Sequence, residues 1–194
     1  MKRLCSTITL AIVTAVALTA CGSTSTDRSG SSGSGGDFNT ADVTFTQSMI
    51  PHHEQAVQMA KMAKVHASSP EVKRLADKIE AAQGPEIETM KRWLKDWGKS
   101  TSGGSMSGTD HGDSGMSGMP GMMSDDDMMG LDKAVGATFD KMFLTMMVAH
   151  HTGAIEMAKT EQSKGMNADV KALAKNIEKA QTTEIAQMKK MLGS

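Results

Sequence analysis

The sequence contains an internal duplication, and this feature constrains the fold more than any other. Residues 40–94 align without a gap with residues 138–192, at an offset of 98 positions, and 23 of the 55 aligned pairs are identical. The pair His52-His53 recurs as His150-His151. Self-similarity at one fixed offset indicates a repeated structural unit. We therefore expect two copies of one supersecondary unit, each carrying a histidine pair.

Apolar residues in each copy recur at intervals of three and four, which is the spacing of one face of an α-helix. In the first copy a helix is predicted from a cap at Asn39 or Thr40, and it is expected to continue, with a kink, through Pro51. A second helix is predicted from an N-cap at Ser69 to a stop near Gly98. Each copy is thus predicted to be a helical hairpin.

The second copy predicts a helix over residues 138–164 and another that follows a cap at Asn167. Between the copies, Ser124 is expected to start a short helix that ends near Ala134. No stretch alternates in the manner of a β-strand. Two hairpins that are apolar along one face bury those faces best against each other. The fold class predicted for residues 39–194 is therefore all-α, a four-helix bundle built from two repeated hairpins.

The first residues resemble a bacterial export signal. Lys2 and Arg3 precede an apolar stretch over residues 4–18 that is short and removable, unlike a membrane-spanning helix. The string that ends in Cys21 resembles a lipobox, so residues 1–20 are expected to be removed and Cys21 to be lipidated; the alternative is an ordinary secretory signal. The Ser/Gly-rich residues 21–38 predict a flexible tether. The predicted location is the outer face of the cytoplasmic membrane, where the lipid alone attaches the protein.

Composition excludes several function classes. The two cysteines are Cys5 and Cys21, so the mature domain lacks a thiol for a thiolate metal site, a disulfide or a nucleophile. Loss of Lys2 and Arg3 lowers Lys+Arg from 21 to 19 against 22 Asp+Glu, and the resulting formal charge of −3 does not suit nucleic-acid binding. A soft metal would have to be held by methionine and histidine, and thioethers suit copper(I).

The apolar faces of the predicted hairpins also carry polar residues. Antiparallel pairing around a turn near Ser68 places Met49, His52 and Glu86 in adjacent layers. Buried polar groups are costly unless they are paired, and a metal ion is one possible partner. The candidate metal ligands in the two copies are Met49, His52, His53, Glu86 and Met90, and Met147, His150, His151, Glu184 and Met188.

Each of these candidates also has a metal-free interpretation. A His–Glu or His–Gln hydrogen bond inherited twice from one ancestral hairpin would give the same pattern, and duplication means that the two copies are not independent observations. His53 and His151 adjoin the apolar face, either as ligands at its rim or as solvated side chains. The methionines on that face can be core filler.

Residues 99–124 break the helical pattern and are rich in Gly, Ser and Met. Methionines in so polar a segment have no core to fill and are prone to oxidation, which favours soft-metal binding over low-complexity drift. The candidate ligands in this segment are His111, Met116, Met119 and Met122, of which the methionines recur at intervals of three.

Several stretches of the chain resemble domain-of-unknown-function family 305. They are Met49-Ile50-Pro51-His52-His53 with Met59-Ala60, Ala82-Gln83 with Glu86-Ile87 and Met90, and Phe143 with residues 149–158. The resemblance covers nearly all of residues 40–194. It implies a ferritin-like, all-helical bundle exported from bacterial cells, with copper binding and copper tolerance in some members. The methionine-rich segment also resembles motifs of extracytoplasmic copper-handling proteins.

The sequence therefore favours a lipid-anchored copper-binding protein that takes up copper(I), or alternatively copper(II) or silver(I). Its role would be to buffer or sequester the metal, or to pass it to a copper-handling partner protein. No enzymatic activity is expected, because no nucleophile–base set appears. No organic cofactor is expected either: a haem-binding bundle with His/Met axial ligands is conceivable, but the sequence contains no Cys-x-x-Cys-His. A metal-free helical interaction module on a lipid tether is the second interpretation. A ferritin-like di-iron protein is less favoured, because no histidine has a glutamate three residues before it.

Overall fold

The computed structural model describes residues 37–101 and 119–193, and the regular structure in these two ranges is helical. In chain order the helices are α1 Thr40–His66, α2 Pro70–Asp96, α3 Asp125–Lys133, α4 Gly136–Lys164 and α5 Ala168–Leu192. None of the helices in these ranges is long and apolar enough to cross a membrane. The all-α prediction is confirmed. The predicted export signal, Cys21 and most of the predicted tether lie outside the described residues.

The helices begin where their capping residues predict. The Asn39 side-chain oxygen accepts hydrogen bonds from the backbone N–H groups of Ala41 and Asp42, at 2.8 and 3.1 Å, and the Asp42 carboxylate accepts one from the Asn39 N–H at 2.7 Å. These bonds satisfy backbone donors that have no partner inside the helix. The side chains of Ser69, Ser124 and Asn167 cap α2, α3 and α5 in the same manner.

Two details depend on proline and glycine. α1 is continuous through Pro51, as predicted, and α2 is continuous through Pro85. α4 begins at Gly136, two residues before the predicted start at Thr138. The earlier start arises because the Phe139 N–H bonds to the Val135 carbonyl at 3.4 Å while Gly136 adopts a φ of +64°, which glycine tolerates without strain.

The four long helices form two antiparallel hairpins, α1–α2 and α4–α5, and the first helix of each hairpin packs against the other. α1 and α4 run in opposite directions. The Asn39 side chain donates to the Lys164 carbonyl at one end, and Ala67 bridges to Gly136 at the other. α3 covers the second end of the α1–α4 groove, where Leu131 is fully buried. The repeated helices therefore meet through equivalent faces.

Apolar burial is concentrated in two clusters, one toward each end of the long helices. One contains Phe45, Met49, Met90 and Ile177, and the other contains Met59, Leu75, Phe143 and Met188. Full burial of such a side chain contributes roughly 1.5–3 kcal/mol to stability. Along α1 and α4 the two clusters are separated by the histidine pairs, so a polar layer divides the core.

Each copy of the repeat also forms hydrogen bonds to the turn between the two helices of the other copy. The buried Asp42 carboxylate accepts hydrogen bonds from the backbone N–H groups of Met166 and Asn167, in the turn between α4 and α5. Its counterpart Asp140 accepts from the N–H groups of Ser68 and Ser69, in the turn between α1 and α2. This reciprocity holds the two hairpins in register and positions the histidines at mid-length.

Candidate metal centre

His52 and His150, equivalent residues of the two copies, meet where α1 packs against α4. Their ring centroids are 3.8 Å apart with an interplanar angle of 38°, and both side chains are fully buried. Burial, reinforced by repulsion from His53, lowers the pKa of His52 to about 3. Burial and the neighbouring His52 likewise hold the pKa of His150 well below its usual value. Both imidazoles are therefore neutral at neutral pH, and each ring retains a nitrogen lone pair.

The hydrogen-bond partner of His52 fixes its tautomer. Its Nε2 lies 3.1 Å from the Pro120 carbonyl oxygen, which can only accept, so Nε2 carries the proton and Nδ1 keeps the lone pair. Within residues 37–101 and 119–193 this Nδ1 has no hydrogen-bond partner, and neither ring nitrogen of His150 has one. The two equivalent histidines thus differ in how they are held.

His53 and His151 are each bound to a glutamate on the second helix of their own hairpin. The His53 Nε2 lies 2.7 Å from Glu86 Oε2, and the His151 Nε2 lies 2.6 Å from Glu184 Oε2. Both histidines are fully buried, whereas the glutamate side chains retain 23% and 18% of their exposure. The Nδ1 atoms of both rings lack a partner among the described side chains and backbone. Histidines that ligate metals are commonly oriented in this way by a carboxylate.

These contacts add to what the sequence predicts in two respects. Pairing around Ser68 places Glu86 in a layer adjacent to that of His52, and the structure shows that the histidine in contact with Glu86 is His53, because successive helix residues point about 100° apart and His53 is the one that faces α2. His53 and His151 are not solvated at the rim, because both are fully buried.

The four core methionines predicted as ligands are fully buried on either side of the histidine layer. Met49 and Met90 lie in one apolar cluster, and Met147 and Met188 lie in the other. Met49 precedes His52 by one helical turn, and Met147 precedes His150 by the same interval. We call His52 and His150 the central histidines. Gln83 and Gln181, one turn before the glutamates, are also buried, and both amide atoms of Gln83 lack a partner within the described ranges.

A short segment, Met119–Met123, crosses the central histidines, and we call it the strap. Gln55 holds it by two hydrogen bonds to Met123, from Nε2 to the carbonyl at 2.9 Å and from the backbone N–H to Oε1 at 2.8 Å. Gly121 has a φ of +77°, and a Cβ placed there would lie 2.6 Å from the Ala149 carbonyl oxygen. A Cβ on Gly153 would overlap the Pro120 carbonyl. The strap therefore lies directly on the α4 backbone.

The strap contains two of the four ligands predicted in the methionine-rich segment, Met119 and Met122, and both are half-buried. His111 and Met116 lie outside the described residues. Sequence reasoning assigned no role to Gln55, Pro120 or Gly153. Gln55 stands opposite Gly153 in the repeat, but most aligned pairs differ between the copies, so no signal in the sequence distinguishes this one.

A cavity of about 420 Å³ continues the α1–α4 groove beside the strap. Phe45, Met157 and Pro120 line it together with Glu161, whose side chain is buried. Burial, and then the adjacent Asp42 carboxylate, raise the pKa of Glu161 to about 8. Glu161 is therefore largely protonated at neutral pH.

The described residues contain no cluster of three or more histidine, cysteine, aspartate or glutamate side chains arranged to hold a metal ion. They do contain the neutral imidazoles of His52 and His150, whose buried Nδ1 atoms have no hydrogen-bond partner, and a buried methionine precedes each of them by one helical turn. A centre with three or more ligands in this region would therefore need a thioether or a rotated imidazole.

The chain matches the family described as "Domain of unknown function (DUF305)" over residues 42–192. A presumed secreted DUF305 protein from Streptomyces coelicolor has a similar crystal structure, with a TM-score of 0.70 and 30% identity over 79% of this chain and 92% of that one. A DUF305 fragment from Deinococcus radiodurans gives a TM-score of 0.70 and 28% identity over 80% and 97% of the respective chains.

CopM is a third structural relative. Its Cu(II)-bound form is 32% identical over 77% of this chain and 94% of that one, with a TM-score of 0.64. Structures of CopM in Cu(I)-bound, Ag-bound and apo forms are similar as well. No curated protein sequence matches the chain significantly. The family match spans most of the chain, including both histidine pairs and both glutamates, and on that ground the chain belongs to the DUF305 family.

Proposed function

We propose that this protein is an exported, lipid-anchored copper-binding protein that buffers or sequesters copper, or passes it to a partner protein. The observation that carries the proposal is the layer of four buried histidines, in which Nδ1 of every ring lacks a hydrogen-bond partner among the described residues. A buried polar atom without a partner destabilises the fold by roughly 1–3 kcal/mol, and a bound metal ion would supply the missing interaction.

The donor set suits copper. Neutral imidazole is a ligand for copper in both oxidation states, and thioethers favour copper(I) and its soft analogue silver(I). His52 and His150 would bind the ion through ring nitrogens, with Met49 and Met147 as the nearest thioethers along their helices. Glu86 and Glu184 would act by orienting His53 and His151 instead of binding metal directly. The Cu(I)-, Cu(II)- and Ag-bound forms of CopM support the same choice of metals.

The proposal takes the two hairpins as a four-helix, ferritin-like bundle that carries metal without catalysing a reaction. A di-iron oxidase is the alternative of a different class, and both glutamates that it could use are hydrogen-bonded to histidines. Steady oxidation of iron(II) by the purified protein, beyond free-metal controls, would show that the protein is an enzyme.

Anaerobic titration with copper(I) against a competing chelator tests the binding proposal, with zinc as the control metal. We expect the parent to bind copper(I) and His52→Ala/His150→Ala to lose part of that capacity. His66→Ala is the matched control, because His66 lies at the end of α1 against Phe139 and Asp132, away from the histidine layer. Equal copper binding by the parent and the double variant would rule out the central pair as a site.

The lipid anchor is proposed from the sequence and has its own test. Cys21→Ala removes the thiol that would be acylated, so the exported protein should move from the membrane fraction to the soluble extracytoplasmic fraction. Fractionation of cells that express the parent or the variant measures this change. A parent protein that is soluble outside the membrane would favour an ordinary secretory signal instead.

A further inference from the structure

At the aligned positions 55 and 153, one of the pairs at which the two copies differ, both residues contact the strap. Gln55 and Gly153 are 98 residues apart and occupy the same position in the two copies. Gln55 binds both backbone polar groups of Met123. Gly153 lies beneath Pro120 and Gly121, where even a methyl group would overlap the Pro120 carbonyl. The first copy therefore forms hydrogen bonds to the strap, and the second copy leaves space for the strap because glycine occupies the equivalent position.

A single chain segment cannot contact two equivalent helices in the same way. The repeated residues His52 and His150 touch, so the two copies are related by an approximate twofold axis that passes near them. The strap crosses near that axis and has only one direction. With glycine at 55, the Met123 N–H and carbonyl would lose their partner, and with glutamine at 153, the side chain would occupy the path of the strap. The difference at this position thus suits the one direction in which the strap runs.

The direction of the strap decides which central histidine receives its hydrogen bond. The Pro120 carbonyl accepts from Nε2 of His52, and within the described residues no hydrogen bond joins the strap to His150. We propose that Gln55 and Gly153 are positioning residues that make the two central histidines unequal. His52 is held by the strap as the Nε2–H tautomer with its Nδ1 lone pair available, whereas the strap forms no hydrogen bond to His150.

This inequality has a consequence for the metal site, and that part of the inference rests on the proposed copper function. A ligand fixed by an outer hydrogen bond needs no reorganisation on binding, and loss of such a bond typically lowers metal affinity by about 10- to 100-fold. His52 would be the preorganised ligand, and His150 would adapt to the ion that arrives.

Gly153→Ala and Gln55→Ala, each with a matched control, test the inference, and Gln55→Glu supplements them. Gly153→Ala displaces the strap, and Gly84→Ala is its control, because a Cβ at Gly84 meets no atom within 4 Å and the residue is also in a helix. Gln55→Ala releases Met123, and Gln58→Ala, at an exposed position on the same helix, is its control. Gln55→Glu keeps the acceptor for the Met123 N–H but loses the donor to the Met123 carbonyl. Its effect should therefore be intermediate. If Gly153→Ala does not fold, as judged by circular dichroism, Gln55→Ala still decides the question.

The primary measurement uses the metal-free protein, so that it does not depend on the proposed function. Long-range ¹H–¹⁵N correlation spectra of the imidazoles report the tautomer of each histidine. We expect the parent to show His52 as a single Nε2–H tautomer, and Gly153→Ala and Gln55→Ala to show a mixture, with faster hydrogen exchange at the Met123 amide. The controls should match the parent. An unchanged His52 tautomer in both variants would overturn the positioning role.

The second measurement is copper(I) affinity by chelator competition. We expect Gly153→Ala and Gln55→Ala to bind about 10-fold more weakly than the parent, and the controls to bind equally well. A shifted tautomer with unchanged copper affinity would refute the link between the strap and the metal site. If the parent binds no copper, the proposed function fails and the metal part of the inference fails with it, whereas the tautomer spectra still decide whether the strap positions His52.

Discussion

At the scale of single residues, burial lowers the pKa of one core residue, His52, and raises the pKa of another, Glu161. Burial lowers the pKa of His52 to about 3, so the folded protein holds fewer protons than the unfolded chain between pH 6.5 and about 3. Stability contributed by this group therefore falls as the pH falls below 6.5. Glu161 behaves in the opposite sense, because burial and the neighbouring Asp42 raise its pKa from 4.5 to about 8.

Glu161 gives the first prediction at this scale. Between pH 4.5 and about 8 the folded protein holds a proton on Glu161 that the unfolded chain releases, so the free energy of unfolding should decrease as the pH rises through this window. Glu161→Gln keeps a neutral side chain of the same size and should remove that decrease. The variant should therefore be more stable than the parent at pH 8 and close to it at pH 5.

Urea unfolding at several pH values measures this effect, and the difference between the two curves isolates Glu161 from the histidines. Glu156→Gln is the matched control, because Glu156 also lines the cavity on α4 but is exposed. If the parent and Glu161→Gln lose stability in parallel from pH 5 to pH 8, Glu161 is ionised in the folded protein and the prediction is wrong.

At the scale of helices and turns, the reciprocal contacts of Asp42 and Asp140 offer a comparison within one molecule. Both carboxylates accept backbone N–H groups from the turn of the other copy, but Asp42 is fully buried and Asp140 is partly exposed. Hydrogen bonds to a charged group contribute roughly 1.5–3 kcal/mol each, and more of this is retained where water is excluded. The α4–α5 turn should therefore depend on its carboxylate more strongly than the α1–α2 turn does.

Asp42→Asn and Asp140→Asn test this difference by changing charge without changing size. We expect Asp42→Asn to lower the free energy of unfolding by on the order of 3 kcal/mol and Asp140→Asn by about 1 kcal/mol. Chemical denaturation at neutral pH measures both values, and Asp77→Asn, on the exposed face of α2, is a suitable control. Equal losses for the two variants would mean that burial does not strengthen the Asp42 contacts.

The helices were predictable because their signals are local. Asn39, Ser69, Ser124 and Asn167 each satisfy backbone donors within the next few residues, and apolar periodicity follows from the helix itself. The start of α4 was missed by two residues because it depends on Gly136 taking a positive φ, and no cap side chain marks it. Local sequence signals therefore predict where these helices lie, except where a helix start depends on an unusual backbone conformation, as at Gly136.

The candidate site was predictable only in part, because its partners come from distant parts of the chain. The repeat identified both histidine pairs and both glutamates. Estimating levels along a hairpin could not decide whether His52 or His53 faces α2, since that depends on the rotation of α1 about its axis. Pro120 lies outside the repeat, and its contact with His52 spans 68 positions. No local pattern at Pro120 indicates that contact.

At the scale of the whole molecule, the chain combines a buried histidine layer with a methionine-rich segment of different chemistry. The layer lies on helices fastened by two reciprocal turns, and its histidines are buried. Of the methionine-rich segment, the strap is described, and Met106, His111 and Met116 lie outside the described residues. If the histidine layer and the methionine-rich segment both bind copper, as the proposed function implies, each should bind it independently of the other. The reason is that few residues other than those of the strap belong to both parts.

The final prediction separates these two classes of site without shortening the chain. Met106→Gln, His111→Asn and Met116→Gln together remove two thioethers and one imidazole from the methionine-rich segment while the strap stays intact. Thioethers do not titrate near neutrality, whereas imidazole must be neutral to bind, so methionine sites should depend less on pH than histidine sites. The triple variant should lose part of the copper(I) capacity and keep the helical content and thermal stability of the parent. Copper(I) bound per protein at neutral and at mildly acid pH, together with circular dichroism, provides the measurement.

Met166→Gln, at a methionine that is 58% exposed near the start of α5, controls for the loss of an exposed thioether. Unchanged copper(I) capacity in the triple variant would show that these three residues are not ligands, and loss of all binding would show that the histidine layer is structural.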